Sequence, residues 1–263
     1  MGKVTHYLGL KFQWKITPSS VSVHLSQEAF TQNLIRDAGL DNNSSTTKPS
    51  PFRSGYPIDS IPPQELTPEQ TSKFKKQLQS FVGSLMWLAQ STRPDLAVIT
   101  AILAQHQNNP NIGHINAAKH VIRYLKGTAD LGIAFHSDDD ITLQTFLNIP
   151  NPNAKLFATS DANWGPQDQS IPNPNSPDVD MFVSRSISGY ISFLNGPVHW
   201  KAKRQPCTAR STTESEILAT DECVKHILQL SNIINDLNLT KDLIDPPTTI
   251  FNDNMGCVLW SKN

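Results

Sequence analysis

Net charge is what this sequence most conspicuously lacks. Its 22 Lys and Arg stand against 23 Asp and Glu, a formal net charge of −1 over 263 residues. That balance excludes a global polyelectrolyte attraction to nucleic acid or to anionic lipid, so any such binding must come from local patches. Cysteine is scarce as well. Cys207, Cys223 and Cys257 are the whole complement, with no CxxC pair and no metal-ligand spacing, which excludes a disulfide framework and reads as a reducing compartment. Long apolar runs are missing: nothing approaches the roughly 20 residues that cross a bilayer, and the segment Met1–Ile16 is too interrupted by polar residues to be a secretory signal. The expectation is a soluble intracellular protein, cytoplasmic or nuclear, with no membrane partner. A nucleophile motif of the Ser/His/Asp kind is absent too, and the scattered histidines, His199 and His226 among them, form no ligand-spaced pair.

What is present is a change of pattern along the chain. Tyr7–Ile16 and Val21–Leu25 read as strands around the turn Thr17-Pro18-Ser19-Ser20. Ser26 then reads as the N-cap of a helix that stops at Gly39. Residues 41–70, broken by Pro49, Pro51, Pro57, Pro62 and Pro63, are expected to be an extended linker. Three helical patterns follow. In the first, Phe74, Leu78, Phe81, Val82, Leu85, Leu88 and Ala89 recur at a spacing of three or four, and Trp87 is expected to pack with them; Arg93-Pro94 ends the run. A second starts at Asp95, and a third spans Ile115–Lys126 with Gly127 as its C-cap. A strand, Leu131–Phe135, closes this half. The acidic and then Asn/Pro-rich stretch 137–153 marks a boundary, after which the order becomes strand (Leu156–Asp161), a long loop over Gln167–Ser184, strand (Ile187–Leu194), strand (Val198–Lys203), long helix (Thr212–Leu237), strand (Thr249–Asn252) and a helix start. The Asn195-Gly196 dipeptide predicts a tight antiparallel hairpin. The later strand–helix–strand unit needs a crossover, so the sheet should be mixed and the fold α/β.

Two of these strands end in a carboxylate. Asp161 follows Leu-Phe-Ala-Thr-Ser and Asp253 follows Thr-Ile-Phe-Asn, and the carboxyl ends of interior strands face the crevice where open α/β sheets place their ligands. Taken alone, either aspartate is also what a turn or a helix N-cap would use. The long helix adds a third. Its apolar stripe, Ala219, Cys223, Ile227, Leu230, Ile234 and Leu237, extends back by helical periodicity onto Glu216, whereas Glu214, two residues earlier, lies about 200° around the helix from it and should face solvent. An inward carboxylate is costly unless it is paired or binds a metal. Asp161, Glu216 and Asp253 aimed at one crevice describe a hard-cation site for Mg²⁺ or Mn²⁺ and, with it, metal-assisted phosphodiester hydrolysis.

The residues at these places resemble a known family. Ser160-Asp161-Ala162-Asn163-Trp164, Ser188-Gly189-Tyr190, the run Val198–Gln205, Ser211-Thr212-Thr213-Glu214-Ser215-Glu216 and Asn252-Asp253-Asn254 are similar, in order and spacing, to the ribonuclease H domain of Ty1/copia-type retrotransposon Pol polyproteins. Upstream, Tyr7-Leu8-Gly9-Leu10, Phe81–Leu88, Thr92-Arg93-Pro94-Asp95-Leu96 and the run Ala118–Thr128 resemble the polymerase tail and connecting region of the same polyproteins. The resemblance implies a ribonuclease H-like mixed sheet with packed helices over residues 154–263, preceded by the tail of the polymerase domain (1–40), a linker (41–70), a mostly helical reverse-transcriptase thumb/connection region (71–136) and a second linker (137–153). It implies Asp161, Glu216 and Asp253 as catalytic, metal-binding carboxylates. Its partners would be an RNA–DNA hybrid and the upstream reverse transcriptase domain. The aromatic–x–Asp–Asp turn of the family's polymerase site is absent from these residues, and the family's fourth carboxylate would fall beyond Asn263, so the expectation is a domain truncated at its C-terminus.

Lys201, Lys203 and Arg204 on one strand, with Arg210 beyond it, form the candidate nucleic-acid-binding set, since cations on a strand edge can meet phosphates without reading sequence. The same residues would equally serve as a solvated edge guarded against strand pairing. Lys119, Arg123 and Lys126 share one side of the third helix and read as surface charges that could also track a duplex. Two functional readings follow: a metal-dependent ribonuclease H, or a catalytically impaired relic that binds nucleic acid or a polymerase partner.

Overall fold

The computed structural model describes residues 2–42, 46–52, 66–137, 156–163, 185–239 and 248–262. The expected loop Gln167–Ser184, Trp164 and the greater part of both linkers lie outside the described residues. The chain divides into two compact units, Met1–Phe135 and His136–Asn263.

The first unit begins with strands β1 (His6–Tyr7), β2 (Leu10–Ile16) and β3 (Val21–Ser26), and the later strand β4 (Gly132–His136) lies beside β3 in a sheet of order β1-β2-β3-β4. The expected strand Tyr7–Ile16 is thus split, because Leu8 and Gly9 both take positive φ (48° and 79°) and fold β1 back on β2. Ser26 is not a helix cap. It still pairs with Lys11 in the β2–β3 ladder, and helix α1 (Glu28–Asp37) starts after Gln27, whose side chain accepts the Thr92 hydroxyl at 2.8 Å instead of capping. Gly39 stops α1 as expected: the Leu40 N–H reaches the Ile35 carbonyl and the Gly39 N–H the Arg36 carbonyl, the paired bonds of a Schellman motif.

Helix α2 (Pro68–Ser91) starts inside the expected linker, on a capping box between Thr67 and Gln70. A 3₁₀ turn (Pro94–Leu96), α3 (Ala97–Gln105) and α4 (Ile112–Gly127) follow. The α4 start lies upstream of Ile115 because Asn111 caps the Gly113 and His114 amides, and its C-cap is Thr128, with Gly127 still helical. Leu34, Leu78, Leu85, Leu88, Ile99, Leu103, Ile122 and Leu125 belong to one buried core. Trp87 does not join them; it is 44% exposed, one residue off the buried stripe of α2. Arg93 is buried under this core's edge. It makes a two-pronged contact with the Asp95 carboxylate (3.0 and 2.8 Å), donates to the Thr128 carbonyl, and stacks on Tyr124, whose hydroxyl donates to the same carboxylate. Burial and the bond to Asp95 raise the Tyr124 pKa, so this hydroxyl stays a donor. Residues ahead of α2 touch α4: the Lys126 ammonium donates to the Asn42 carbonyl, the Lys48 N–H to the Arg123 carbonyl, and His120 bonds the Ser50 carbonyl.

The second unit has a four-stranded sheet of order β7-β6-β5-β8, from β5 (Leu156–Asn163), β6 (Ile187–Leu194), β7 (Pro197–Arg204) and β8 (Thr249–Phe251). β6 pairs antiparallel with both β5 and β7, and β8 pairs parallel with β5, so the sheet is mixed and the architecture α/β. Asn195 (φ 58°) and Gly196 make the β6–β7 turn. Helix α5 (Thr212–Asp236) is capped by Ser211, whose hydroxyl accepts from the Glu214 N–H, and covers one face of the sheet. Leu156, Ala158, Cys223, Ile227 and Ile234 form that core, with Tyr190, Leu230 and Ile250 packed against it. Leu237, counted in the stripe from periodicity, is exposed, since it is the C-cap beyond the last packed turn. The opposite face carries Phe157 stacked on Phe193 and edge-on to Phe251. A short helix α6 (Met255–Trp260) follows β8.

Candidate metal centre

Asp161, Glu216 and Asp253 come together in the second unit. In the parallel β5–β8 ladder Thr159 pairs with Phe251; two residues further on from each stand Asp161, still within β5, and Asp253, just past the end of β8. Antiparallel pairing with β6 carries β5 beyond this point, so Asp161 lies within the ladder opposite Gly189 rather than at the strand's end. Glu216 enters from the second turn of α5. One carboxylate oxygen from each of the three lies within 4.8 Å of the others, with Glu216 buried and both aspartates exposed. Glu214 stays apart, accepting the Arg210 N–H at 2.6 Å beside the helix N-terminus.

The electrostatics are those of a site short of positive charge. Burial raises the Asp161 pKa, and the nearby Asp253 raises it further against a bond from Ala162. Burial raises that of Glu216 as well, with Asn252 and Ala162 opposing and the two aspartates adding to the rise. No salt bridge to any of the three is found among the described residues. The partners of Glu216 are neutral donors: the Ala162 N–H at 3.1 Å and the Asn252 amide at 2.9 Å. Three hard oxygen donors so close together could hold a metal ion, which would offset their mutual repulsion.

Sequence reasoning did not find the polar cluster behind these carboxylates. Asn252 also reaches the Ser160 carbonyl, the Ser160 hydroxyl and the Thr220 hydroxyl (3.2, 3.3 and 3.4 Å), and Ser160 bonds Thr220 at 3.0 Å. The available signal was a polar residue at each core-facing position next to the site, Ser160 two after Ala158 and Thr220 four after Glu216. Gln205, also buried, ties the end of β7 to the helix by donating to the Ser188 hydroxyl and the Ser215 carbonyl.

Lys201, Lys203, Arg204 and Arg210 are all exposed. β7 ends the described sheet, and its register pairs Lys201 with Tyr190 and Lys203 with Ser188, on the face that α5 covers. Lys201 stands 3.8 Å from Glu222, and Asp221 holds Lys225. A groove of about 230 Å³ between β7 and α5 is lined by Lys201, Lys203, Arg204, Asp221, Glu222 and Lys225. The cations therefore form a mixed-charge border, not a uniformly basic strip. His199 and His226 stack at 3.9 Å beside Tyr190, away from the carboxylates, and the Nδ1 of the first and Nε2 of the second are buried without a hydrogen-bond partner.

No protein-family model and no solved structure matches the chain. Curated proteins do. It is 30% identical over 259 residues to a retrovirus-related Pol polyprotein from transposon RE2 of Arabidopsis thaliana, an alignment covering 98% of this chain and 15% of that polyprotein. It is 29% identical over 208 residues to the transposon Ty1-ER2 Gag-Pol polyprotein of Saccharomyces cerevisiae, covering 76% of this chain and 10% of the relative. A secreted RxLR effector protein of Plasmopara viticola is 34% identical over 153 residues, covering 58% of this chain and 89% of the effector. The chain thus spans a small part of the polyproteins it matches.

Proposed function

We propose, from the premise that this chain belongs to the Pol polyprotein family of Ty1/copia-type retrotransposons, that its second unit is a ribonuclease H-like domain that hydrolyses the RNA strand of RNA–DNA hybrids. The observation that carries this reading is the convergence of Asp161, Glu216 and Asp253 within 4.8 Å from β5, α5 and the turn after β8. A divalent metal held there would activate the attacking water and stabilise the leaving oxygen. Asp161 and Asp253, exposed at the mouth, would meet both ion and substrate; Glu216, buried behind them, would anchor the ion from the protein side. Lys203 and Arg210, with Lys201 and Arg204, would contact phosphates, giving affinity that is salt-sensitive and indifferent to sequence.

The first unit fits the polymerase tail and the thumb/connection region of such a polyprotein, and the upstream polymerase domain and the hybrid are the partners proposed for the whole. Among the described residues no helix is long and apolar enough to cross a membrane. Incubation of the chain with a labelled hybrid and Mn²⁺ tests the proposal, beside single-stranded RNA and duplex DNA as controls. Release of short RNA fragments from the hybrid alone supports it. Retention of the hybrid on the protein without cleavage would favour the binding-only relic.

A further inference from the structure

We infer that Asn252 is a positioning residue, whose side-chain amide holds the Glu216 carboxylate in place for a divalent ion and couples it to the chain around Asp253. This assignment rests on the metal-site reading above. Glu216 is only 6% exposed, and a buried carboxylate needs donors. Its Oε1 accepts the Ala162 N–H at 3.1 Å and its Oε2 accepts Asn252 Nδ2 at 2.9 Å. An amide donor differs from Lys or Arg in one respect that matters here: it orients the carboxylate without cancelling its charge, so the oxygens keep their pull on a cation.

The direction of the Asn252 amide is itself determined. Its Oδ1 accepts the Asn254 N–H at 2.9 Å, which turns Nδ2 toward Glu216, Ser160 and Thr220. A flipped amide would set oxygen against the Glu216 carboxylate and NH₂ against a backbone N–H. Asn254 in turn accepts the Cys257 N–H at 2.9 Å, capping α6, and the Thr213 hydroxyl at 3.4 Å. Asp253 is therefore flanked by two anchored asparagines, one fixed on Glu216 and the other on α6 and the start of α5. Partners that orient metal ligands in this way typically account for about 10–100-fold in metal affinity.

A double-mutant cycle on the full chain tests the assignment, with Mn²⁺ binding read by titration calorimetry for wild type, Asn252→Ala, Glu216→Ala and the double variant. Asn252→Ala should weaken Mn²⁺ binding by about 10–100-fold, yet change it less than about twofold where Glu216 is already Ala. Urea-unfolding midpoints of the same four proteins without metal give a second reading of the cycle, and they should be non-additive as well. Thr220→Val, which removes one Asn252 contact and preserves shape, carries the test if Asn252→Ala does not fold; it should bind Mn²⁺ more weakly than wild type. Equal losses in both backgrounds, additive midpoints, or a Thr220→Val affinity equal to wild type would overturn the positioning role. A wild-type chain that binds Mn²⁺ no better than Asp161→Asn would instead overturn the metal site, and the assignment with it.

Discussion

Neutralising Asp161 should stabilise this protein in the absence of metal, although it destroys the site. One of its carboxylate oxygens lies within 4.8 Å of one from Glu216 and one from Asp253. Two unit charges at that separation repel by about 0.9 kcal/mol in bulk water and about 3.5 kcal/mol at an effective dielectric near 20. Asp161 and Asp253 are exposed, which sets the relief toward the lower end, about 1–2 kcal/mol for Asp161→Asn. For a unit of this size that is a rise in Tm of roughly 3–8 °C. The pH dependence has burial as its first cause and the Asp253 charge as its second. The Asp161 pKa is raised in the folded state, so the native protein takes up this proton before the unfolded chain does, and metal-free stability increases as pH falls through the raised value toward that of an ordinary carboxylate. The variant should lack that component. Divalent ion should reverse the ranking: a ligand at about a hundredfold its Kd stabilises the native state by about 2.7 kcal/mol, and only wild type should gain it in full. Scanning calorimetry in EDTA and in excess Mn²⁺ measures all of this. A variant that melts below wild type in EDTA, or that gains as much from Mn²⁺, would refute the reasoning.

Other outcomes follow from particular contacts. Arg93→Ala leaves the Asp95 carboxylate and Tyr124 without their buried partner and should cost about 3–5 kcal/mol in denaturant titrations of the first unit. Gly132→Ala would place a methyl 1.9 Å from the Leu25 carbonyl oxygen; forcing β3 and β4 apart should cost about 1–3 kcal/mol or more, seen as a lowered Tm. His199 and His226 have pKa values lowered from the ordinary 6.5, first by burial and then by neighbouring positive charge. The unfolded chain therefore binds those protons more readily, and stability contributed by neutral His199 and His226 should be lost as pH drops below about 6.5. His226→Phe should flatten the profile between pH 7.5 and 5.5, and an unchanged slope would place its cause elsewhere.

Much of the second unit was legible because its periodicities are clean. The alternation of β5 and the stripe of α5 meet in one core, and extending the stripe by one turn separates Glu216 from Glu214. What escaped was set by partners far along the chain. Asn252 acts through residues 92, 36 and 32 positions away, and no local pattern encodes such contacts. Ser26 looked like a cap by residue type, but its backbone was already engaged by Lys11 in the sheet. Trp87 and Leu237 show the limit of counting apolar residues: a helix can carry more of them than its packed face covers. The cations of β7 were visible in the sequence, whereas the carboxylates opposite them on α5, Asp221 and Glu222, enter only through the fold.

The most direct measurement is the rate of RNA-strand cleavage in a uniformly labelled RNA–DNA hybrid, with Mg²⁺ or Mn²⁺, for wild type against Asp161→Asn at equal protein concentration. The account predicts metal-dependent cleavage by wild type, abolished by EDTA. It also predicts a loss in the variant greater than the roughly 10–100-fold typical of residues that only orient metal ligands. Equal rates for the two proteins, or cleavage that persists in EDTA, would contradict it.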